Sequence, residues 1–582
     1  MNCPSRTDDI AGHDGWNQSP PALAADTTTR QDMSGVANLR SRRDHQIDPG
    51  ELEKENSVDA NANITPQSHA PAAPTNDISG QRGFSAAGRS SVELEHIRQG
   101  KSKPSMLPTR PDGPLSPTAR AAHTVWNGFK KFAKFVGPGF MVSVAYIDPG
   151  NYSTDTSAGA TYRFQLLFVI LMSNLFAIFL QSLCVKLGTV TGLNLAENCR
   201  LHLPKWLNIL LYLFAEGAII ATDIAEVIGS AIALNLLLHV PLVAGCAITL
   251  VDVLVILIFY DPSGSMRRLR AFEGFIIVLV LGVVICFCVE LSYIRGYTVG
   301  EVMKGYIPSP AVVETKGLYL SCGILGATVM PHSLYLGSGL VQSRLRSYDE
   351  DLGDSHADAE SPDDGDDAPK YRPSLAAIHY CLRHSVIELT VCLFTFALFV
   401  NSSILIVAGA SLSKIPNAAD ADLFDVHDLL SRTLAPVAGT VFALALFLSG
   451  TSAGIVCTMA GQMVSEGALN WTVKPWLRRL LTRSISITPS IIIAAAVGRD
   501  GLSAALNGTQ VALSVILPFV SAPLIYFTCR NKYMSVSTSD RGQESFVKMR
   551  NNWITATFAV LIWLVIVIMN VALLVLEGKG KA

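Results

Sequence analysis

Two short stretches of this 582-residue chain place polar and helix-breaking residues inside apolar surroundings. One is residues 148–151, Asp-Pro-Gly-Asn, and the other is residues 326–332, Gly-Ala-Thr-Val-Met-Pro-His. Proline removes a backbone hydrogen-bond donor and clashes with the preceding helical turn, while glycine adds backbone freedom. Both stretches therefore predict a helix that unwinds, with breaks at Pro149, Gly150 and Pro331.

The side chains and freed carbonyls of the two breaks could together bind a cation. Asp148 offers an anionic oxygen, Asn151 an amide oxygen, and an unwound Ala327 a backbone carbonyl. Met330 adds a thioether sulfur; alone it would more often fill a gap in a core, but its place beside a break favours a ligand. Oxygen-only sites suit Mg²⁺ and Ca²⁺, whereas sulfur favours transition metals. The mixed set predicts a site for a divalent first-row ion.

Titratable side chains in similar apolar surroundings could move protons. His332 directly follows the second break and can change charge near neutral pH, although a lone histidine is more often a core residue. Asp223 and Glu226 share one helix face, and Glu216 lies near it. Acids at membrane depth must face a cavity or pair with a base, and they are typical of proton relays. Arg483 is a candidate partner, or else a residue that reaches for the membrane surface.

The elements that must position these groups are apolar segments long enough to cross a bilayer, about twenty residues each. The chain is 49% hydrophobic and only 16% charged, well below the roughly 25% charged residues of soluble domains. The predicted fold class is therefore an all-α integral membrane protein with about eleven transmembrane helices. We place these spans at residues 130–158, 163–190, 205–237, 240–260, 270–292, 316–341, 374–409, 434–465, 480–498, 503–529 and 553–576.

The two breaks fall in corresponding positions of two blocks of five spans. Pro149 lies in span one and Pro331 in span six, and five is an odd number, so the second block would run opposite to the first. This arrangement predicts an inverted repeat of residues 130–292 and 316–529, with residues 553–576 as an added helix. Interrupted helices in matching positions of two repeats indicate the central binding site of a transporter.

The distribution of charge predicts the orientation. Basic residues occupy the breaks after the even-numbered spans: Arg200, Lys205, Arg267, Arg268, Arg270, Arg344, Arg346, Lys474, Arg478, Arg479, Arg530 and Lys532. Such breaks are typically cytoplasmic, which puts the N-terminus in the cytoplasm and the C-terminus outside or in a lumen. The membrane could be the plasma membrane or that of a vacuole or endosome.

Three polar segments lie outside the predicted spans. Residues 1–124 lack apolar periodicity and are predicted to be a disordered cytoplasmic region, followed by a transmembrane domain at residues 125–582. Residues 347–370 include ten acidic residues and are predicted to form a cytoplasmic linker. Asn401 begins an Asn-Ser-Ser sequon that the predicted boundaries place near an outer loop, so glycosylation is possible.

At these residues the chain resembles the natural resistance-associated macrophage protein family of metal transporters, in its fungal branch. The resemblance covers roughly residues 133–530. Three stretches account for it: residues 148–151 followed by Thr-Asp at 154–155, residues 330–332 followed by Leu-Tyr-Leu at 334–336, and residues 460–467, Ala-Gly-Gln-Met-Val-Ser-Glu-Gly. Gly337 stands where many members have a second histidine, and Ile516 where many have a glutamine in span ten.

The resemblance implies a fold like that of the bacterial amino-acid symporter LeuT, with broken helices one and six. It implies that Asp148, Asn151, Met330 and the Ala327 carbonyl bind the metal, and that protons move past His332, Asp223 and Glu226. The implied activity is proton-coupled symport of Mn²⁺, Fe²⁺ and similar ions toward the cytoplasm. The metal would be substrate, so no cofactor and no nucleic-acid partner are expected.

Two other activities stay open. The same fold could serve a non-transporting metal sensor that signals through its soluble segments, although a sensor would not need a cation site at mid-membrane. It could also serve a symporter of Na⁺ or amino acids, but the Asp148 carboxylate would repel that of an amino acid. No catalytic triad, phosphate-binding loop or metalloprotease pattern occurs at positions compatible with a membrane, so an enzyme is not expected.

Overall fold

The computed structural model of the protein describes residues 137–258, 266–352, 371–415, 418, 421–470, 475–540 and 543–579. In chain order the first helices are α1 Pro138–Val144, α2 Pro149–Tyr162, α3 Leu167–Thr191, α4 Leu195–His202, α5 Lys205–Leu238, α6 Leu242–Leu257, α7 Met266–Tyr293 and α8 Val299–Lys304. They are followed by α9 Thr315–Thr328, α10 Pro331–Leu352, α11 Leu375–Cys392, α12 Leu398–Ser411, α13 Leu423–Thr433, α14 Pro436–Leu469, α15 Pro475–Ala496, α16 Arg499–Thr528 and α17 Trp553–Gly578.

The described helices fit the predicted transmembrane protein. Among these residues, eight helical stretches are long and apolar enough to cross a bilayer, and Leu242–Leu257 and Leu480–Ala496 are shorter apolar helices. Together with the first span, which is divided into α1 and α2, they correspond to the eleven predicted spans. The all-α membrane fold is therefore confirmed.

Both predicted helix breaks are present. The first span unwinds between Val144, where α1 ends, and Pro149, where α2 begins. The sixth span unwinds between Thr328 and Pro331. Each proline takes the first position of the following helix, where its missing N–H group would have no intrahelical acceptor. The two prolines therefore start the following helices without removing a hydrogen bond from those helices.

Small residues let the broken helices pack tightly against their neighbours. A Cβ atom on Gly326 of α9 would lie 2.8 Å from the backbone nitrogen of Ser514 on α16, closer than real Cβ contacts. A Cβ atom on Gly229 of α5 would collide with the ring of Pro149. Glycine at both positions allows backbones to approach closely, as is common between membrane helices. This packing holds both breaks in the interior.

The structure also contains elements that the spans did not predict. An antiparallel hairpin joins spans ten and eleven, with β1 Ser535–Asp540 paired to β2 Gln543–Lys548. Its first strand is rich in Ser and Thr and its second is mostly polar or charged, so hydropathy did not identify them. Between spans seven and eight, α13 begins with a capping box in which Asp422 and Asp425 each accept a backbone N–H of the other.

Two predictions about polar segments need correction. The predicted acidic linker does not begin at residue 347, because α10 continues to Leu352, where Asp349 accepts hydrogen bonds from Ser374 and from the Tyr371 hydroxyl. Asn401 does not lie near a loop: it is fully buried within α12 and inaccessible to a glycosylating enzyme. Residues 1–124 and 353–370 lie outside the described residues, so the disorder predicted for the first segment and the linker predicted at the second stay predictions.

Candidate metal site and proton pathway

Asp148 and Asn151 form the polar centre of the first break. Asp148 is the N-cap of α2, and its Oδ1 accepts the backbone N–H of Asn151 at 3.0 Å and the side-chain amide of Asn151 at 2.6 Å. Both residues are fully buried. Asp148 Oδ2 and Asn151 Oδ1 have no hydrogen-bond partner in the protein. Because burying such oxygens is costly, they are available acceptors for a cation.

The second break meets the first at Ala327. In an uninterrupted helix the Ala327 carbonyl would accept the N–H of residue 331, but that residue is proline and has none. The carbonyl instead accepts the Asn151 side-chain amide at 3.2 Å. Met330 lies fully buried in the gap between α9 and α10. The structure thus brings Asp148, Asn151 and Ala327 together, with Met330 in the same break as Ala327.

A polar network that the sequence did not identify supports the unwound backbone of span one. The Tyr146 carbonyl accepts the side-chain amides of Asn151 at 3.3 Å and of Asn401 at 3.0 Å. The Tyr146 hydroxyl lies 3.0 Å from Ser333 Oγ, and Gln181 donates to both hydroxyls at 2.9 Å. The sequence did contain a signal for this network, namely amide side chains within apolar spans. Buried polar groups need hydrogen-bond partners, so such amides predict a polar network in the interior.

A glutamine of span ten also lies beside the first break. A Cβ atom on Gly150 would overlap the Gln510 side chain, and Gln510 Oε1 is buried without a hydrogen-bond partner. Ile516, which was taken to replace the family's glutamine, instead packs against Ala218 and Ala221 of α5. A span-ten amide therefore does lie beside the first break, at Gln510, six residues before Ile516.

Asp155 extends the polar face of α2. It lies seven residues, or two helical turns, beyond Asp148 and therefore on the same face. It is fully buried, and neither carboxylate oxygen has a hydrogen-bond partner in the protein. The Thr-Asp pair that follows the first motif thus places a second carboxylate in the interior of the molecule.

The predicted acids of span three pair with Arg483. The Arg483 guanidinium on α15 donates to Asp223 Oδ1, and it lies 3.4 Å from Glu226 Oε2. All three side chains are at most 2% exposed, so Arg483 pairs with these acids and does not reach for the membrane surface. Cys457 of α14 lies against the same group.

His332 directly follows the second break and contacts Thr222, the residue before Asp223 of the ion-pair cluster. Its Nδ1 is 3.2 Å from the Thr222 hydroxyl, which itself donates to the Ala218 carbonyl at 2.9 Å. With the Thr222 hydroxyl proton directed at the Ala218 carbonyl, a neutral His332 donates through Nδ1 and its Nε2 can accept a proton. Glu216 lies two turns before Asp223 on the same face of α5, half-buried, with Oε2 unpartnered. The structure places every predicted proton residue along α5 or beside it.

The end of the molecule near α4 combines a polar cavity with ionic contacts. The cavity has a volume of about 250 Å³ and is lined by Asn194, Glu197, Glu273, Gln342, Gln462 and Glu466. The last two belong to the third sequence motif, residues 460–467. Next to it, Arg344 pairs with Glu273 at 2.6 Å. Glu388 accepts the N–H groups of Gly137 and Gly139 at 2.6 and 2.9 Å and fixes the start of α1.

Comparison with known proteins agrees with this arrangement. The family model described as "Natural resistance-associated macrophage protein-like" matches residues 139–576. The chain is 50% identical over 502 residues to the "Manganese transporter SMF1" of Saccharomyces cerevisiae, covering 78% of this chain and 87% of that one. It is 54% identical to the "Iron transporter SMF3" of the same yeast, covering 70% and 84%.

A solved structure gives the same result. The manganese transporter of Eremococcus coleocola, crystallised with an aromatic bis-isothiourea compound, is 30% identical and superimposes with a TM-score of 0.63. The alignment covers 76% of this chain and 86% of that protein. The motifs, the helix breaks and the matches to relatives agree along most of the transmembrane region. The chain belongs to the natural resistance-associated macrophage protein family.

Proposed function

We propose that this protein is a symporter that moves Mn²⁺, Fe²⁺ and similar divalent ions together with protons toward the cytoplasm. Relatives at 50% and 54% identity are named manganese and iron transporters, which supports the choice of substrate. The chain spans 87% and 84% of their lengths, so the similarity extends over most of those proteins.

One observation supports metal transport above the others. Asn151 of one helix break donates to the Ala327 carbonyl of the other, while Asp148 Oδ2 and Asn151 Oδ1 stay buried and unpartnered. An anionic carboxylate inside a membrane is costly unless a partner compensates it. A divalent cation would be that partner, bound by Asp148, Asn151 and the Ala327 carbonyl, with the Met330 sulfur favouring a transition metal over Ca²⁺ or Mg²⁺.

The broken helices also suggest how the ion is released. The site lies where the two repeats meet, so rocking of one repeat against the other would open it to each side in turn. At the end of the molecule near α4, the contacts of Glu388 with the start of α1 would have to break before that side opens. A negative-inside potential favours entry by about 2.3 kcal/mol per charge per 100 mV, so a divalent ion gains twice that amount.

Protons would follow a separate route through α5. His332 directly follows the second helix break, and its Nε2 can accept a proton. The contact of Nδ1 with the Thr222 hydroxyl holds the ring in place. Asp223 and Glu226 are one turn apart and share Arg483, so a proton on either acid would weaken its contact with the guanidinium. Glu216, two turns away, would continue the route toward the end of α5 near Lys205.

The orientation and the membrane are part of this proposal. The basic breaks support an orientation in which the end that holds α4, Arg344 and the β hairpin faces the cytoplasm, with the C-terminus outside or in a lumen. Either the plasma membrane or a vacuolar or endosomal membrane is compatible with that topology. A lumen is topologically equivalent to the outside of the cell. The metal would therefore cross the protein in the same direction, toward the cytoplasm, in either membrane.

The test is Mn²⁺ uptake into liposomes that contain purified protein, with an inward proton gradient and excess external Ca²⁺. We expect uptake that persists in Ca²⁺ and increases with the gradient. The Asp148→Ala variant should lose uptake because it lacks the anionic ligand, whereas Asp425→Ala, on the peripheral helix α13, should keep it. Full uptake by Asp148→Ala would contradict the site, and no uptake by folded wild-type protein would favour a metal sensor.

A further inference from the structure

A large apolar groove lies on the outer surface of the helical domain, away from the metal site. It is formed by α5, α16 and α17, and its volume is about 700 Å³. Phe214 and Phe519 stack in its wall with ring centroids 4.8 Å apart. Trp563, also in the wall, donates its indole N–H to the Pro518 carbonyl at 2.9 Å, so its ring presents only apolar surface. In a membrane, such a groove faces lipid chains.

A second apolar groove lies on the other side of Tyr526. Its volume is about 450 Å³, and it is lined mainly by apolar residues at the end of α16 and the start of α17, including Ile525, Val560 and Leu561. Tyr526 lines both grooves and is 37% exposed. Two neighbouring apolar grooves separated by one aromatic ring could each hold one of the two acyl chains of a single phospholipid.

Positive charge lies where the two grooves meet. The Arg530 guanidinium stands over the Tyr526 ring at 4.5 Å, and the Lys532 ammonium over the Tyr533 ring at 5.5 Å. The two tyrosine hydroxyls are 3.4 Å apart. Among the residues whose side chains the structure describes, no carboxylate forms an ion pair with Arg530 or Lys532. These cations and hydroxyls are suited to a lipid phosphate.

We propose that the two grooves and Arg530, together the Tyr526 site, bind one anionic phospholipid. Its acyl chains would lie on either side of Tyr526, and its phosphate would contact Arg530, with Lys532 nearby. The inference rests on the proposed topology only for the choice of leaflet, which is the cytoplasmic one, where anionic lipids are found. A sterol would fill one groove but would leave the second groove and the cations without a ligand.

A lipid bound at this site would contact α16, a helix that also contributes a residue beside the proposed metal site. Gln510, which lies beside the first break, is on α16, and the same helix forms the walls of both grooves. The helix contains Pro518 and Pro523, both of which line the larger groove. Proline inside a helix removes hydrogen bonds and permits bending. An occupied Tyr526 site would therefore restrain the half of α16 that follows Gln510.

Native mass spectrometry of the purified full chain tests the proposal. The protein is offered phosphatidylserine and phosphatidylcholine with identical acyl chains, and single-chain lysophosphatidylserine separately. We expect the diacyl anionic lipid to be preferred over both. Arg530→Gln should lower that preference about fivefold, the change expected for losing one basic residue at an anionic surface. The matched control Arg550→Gln, exposed at the same end but outside both grooves, should keep it.

A second variant tests the apolar part of the site. Ala522→Phe fills the larger groove and should weaken binding of both diacyl lipids while leaving the lysolipid unchanged. Equal losses in the Arg530 and Arg550 variants would overturn the proposal in favour of a diffuse basic surface, and so would tighter binding of a sterol than of phosphatidylserine. These readouts do not involve transport, so their failure would leave the proposed metal symport untouched.

Discussion

Arg483 on α15 forms ion pairs with both Asp223 and Glu226, which are one helical turn apart on α5. One guanidinium thus serves two buried carboxylates. Removing one member of a buried ion pair typically costs about 3–5 kcal/mol because it leaves an uncompensated charge. The Glu226→Gln variant avoids that cost, since the Arg483–Asp223 pair remains and no charged group loses its last partner.

This relationship predicts a separation of metal flow from proton flow. Glu226→Gln cannot bind and release a proton at position 226, so Mn²⁺ uptake should persist while the protons moved per Mn²⁺ fall. The measurement is a pH-sensitive dye inside proteoliposomes, read alongside Mn²⁺ uptake. Glu301→Gln, on the peripheral helix α8, is the control. A proton-to-metal ratio unchanged in Glu226→Gln would refute the role of this acid.

Met330 should determine which ions are excluded and not whether transport occurs. Met330→Ala keeps the oxygen ligands but loses the sulfur, which oxygen-preferring ions do not need. We expect Mn²⁺ uptake to continue while Ca²⁺ and Mg²⁺ become competitors or substrates. Competition curves for the three ions on wild-type and variant liposomes would measure this. Unchanged exclusion of Ca²⁺ would assign the discrimination to other residues.

Asn401 should carry no glycan, despite its sequon. Its side chain is fully buried and donates a hydrogen bond to the Tyr146 carbonyl at 3.0 Å. Mass spectrometry of the peptide that contains Asn401, from protein made in a glycosylating host, should show only the unmodified mass. Asn401→Ala should also lower Mn²⁺ uptake, because the unwound backbone before Asp148 loses a donor. A glycan on that peptide would contradict the position of α12.

A peripheral contact gives a prediction about pH. Asp422 accepts two hydrogen bonds from Arg499, at 2.6 and 2.8 Å, and caps α13. Burial alone would raise the pKa of Asp422, but the hydrogen bonds and charge of Arg499 outweigh it and lower the pKa from its ordinary value of 3.8. A depressed pKa means that the stabilisation is present above the unfolded value and lost as pH falls through the folded value.

Asp422→Asn should therefore speed hydrogen exchange in α13 at pH 7, by up to about fivefold for a partly exposed contact. The difference from wild type should shrink as pH falls through the folded pKa of Asp422, which lies below its ordinary value of 3.8, because protonation removes the charge that Arg499 contacts. Asp428→Asn, exposed on the same helix, is the control. A difference that stays constant across this pH range would show that charge at position 422 is not the cause.

The spans and breaks could be predicted because local composition determines them. Runs of apolar residues identify a membrane helix wherever they occur, and Pro149 and Pro331 interrupt a helix in any surroundings. The hairpin after span ten was not predicted because its short, mostly polar strands give no hydropathy signal. Asn401 was misplaced for a related reason: a sequon is defined by three residue types and carries no information about burial.

The contacts of the site depended on helix rotation, which hydropathy does not specify. Whether Arg483 faced the acids or the membrane surface followed from how α15 packs beside α5. The family comparison directed attention to Ile516, whereas the span-ten glutamine that packs beside Gly150 at the first break is Gln510. Residues on different helices meet only when the tertiary structure sets those rotations, so single-sequence reasoning gave the ligand types but not all of their positions.

The carbonyl of Ala327 has a consequence for how this protein tolerates mutation. This oxygen is available to bind a ligand because residue 331 is proline, which has no backbone N–H to donate to it. The methyl group of Ala327 takes no part, so replacing residue 327 by another small residue leaves the oxygen in place. A substitution scan would report a permissive position at 327 and an intolerant one at 331, and the residue that supplies the oxygen would go unnoticed.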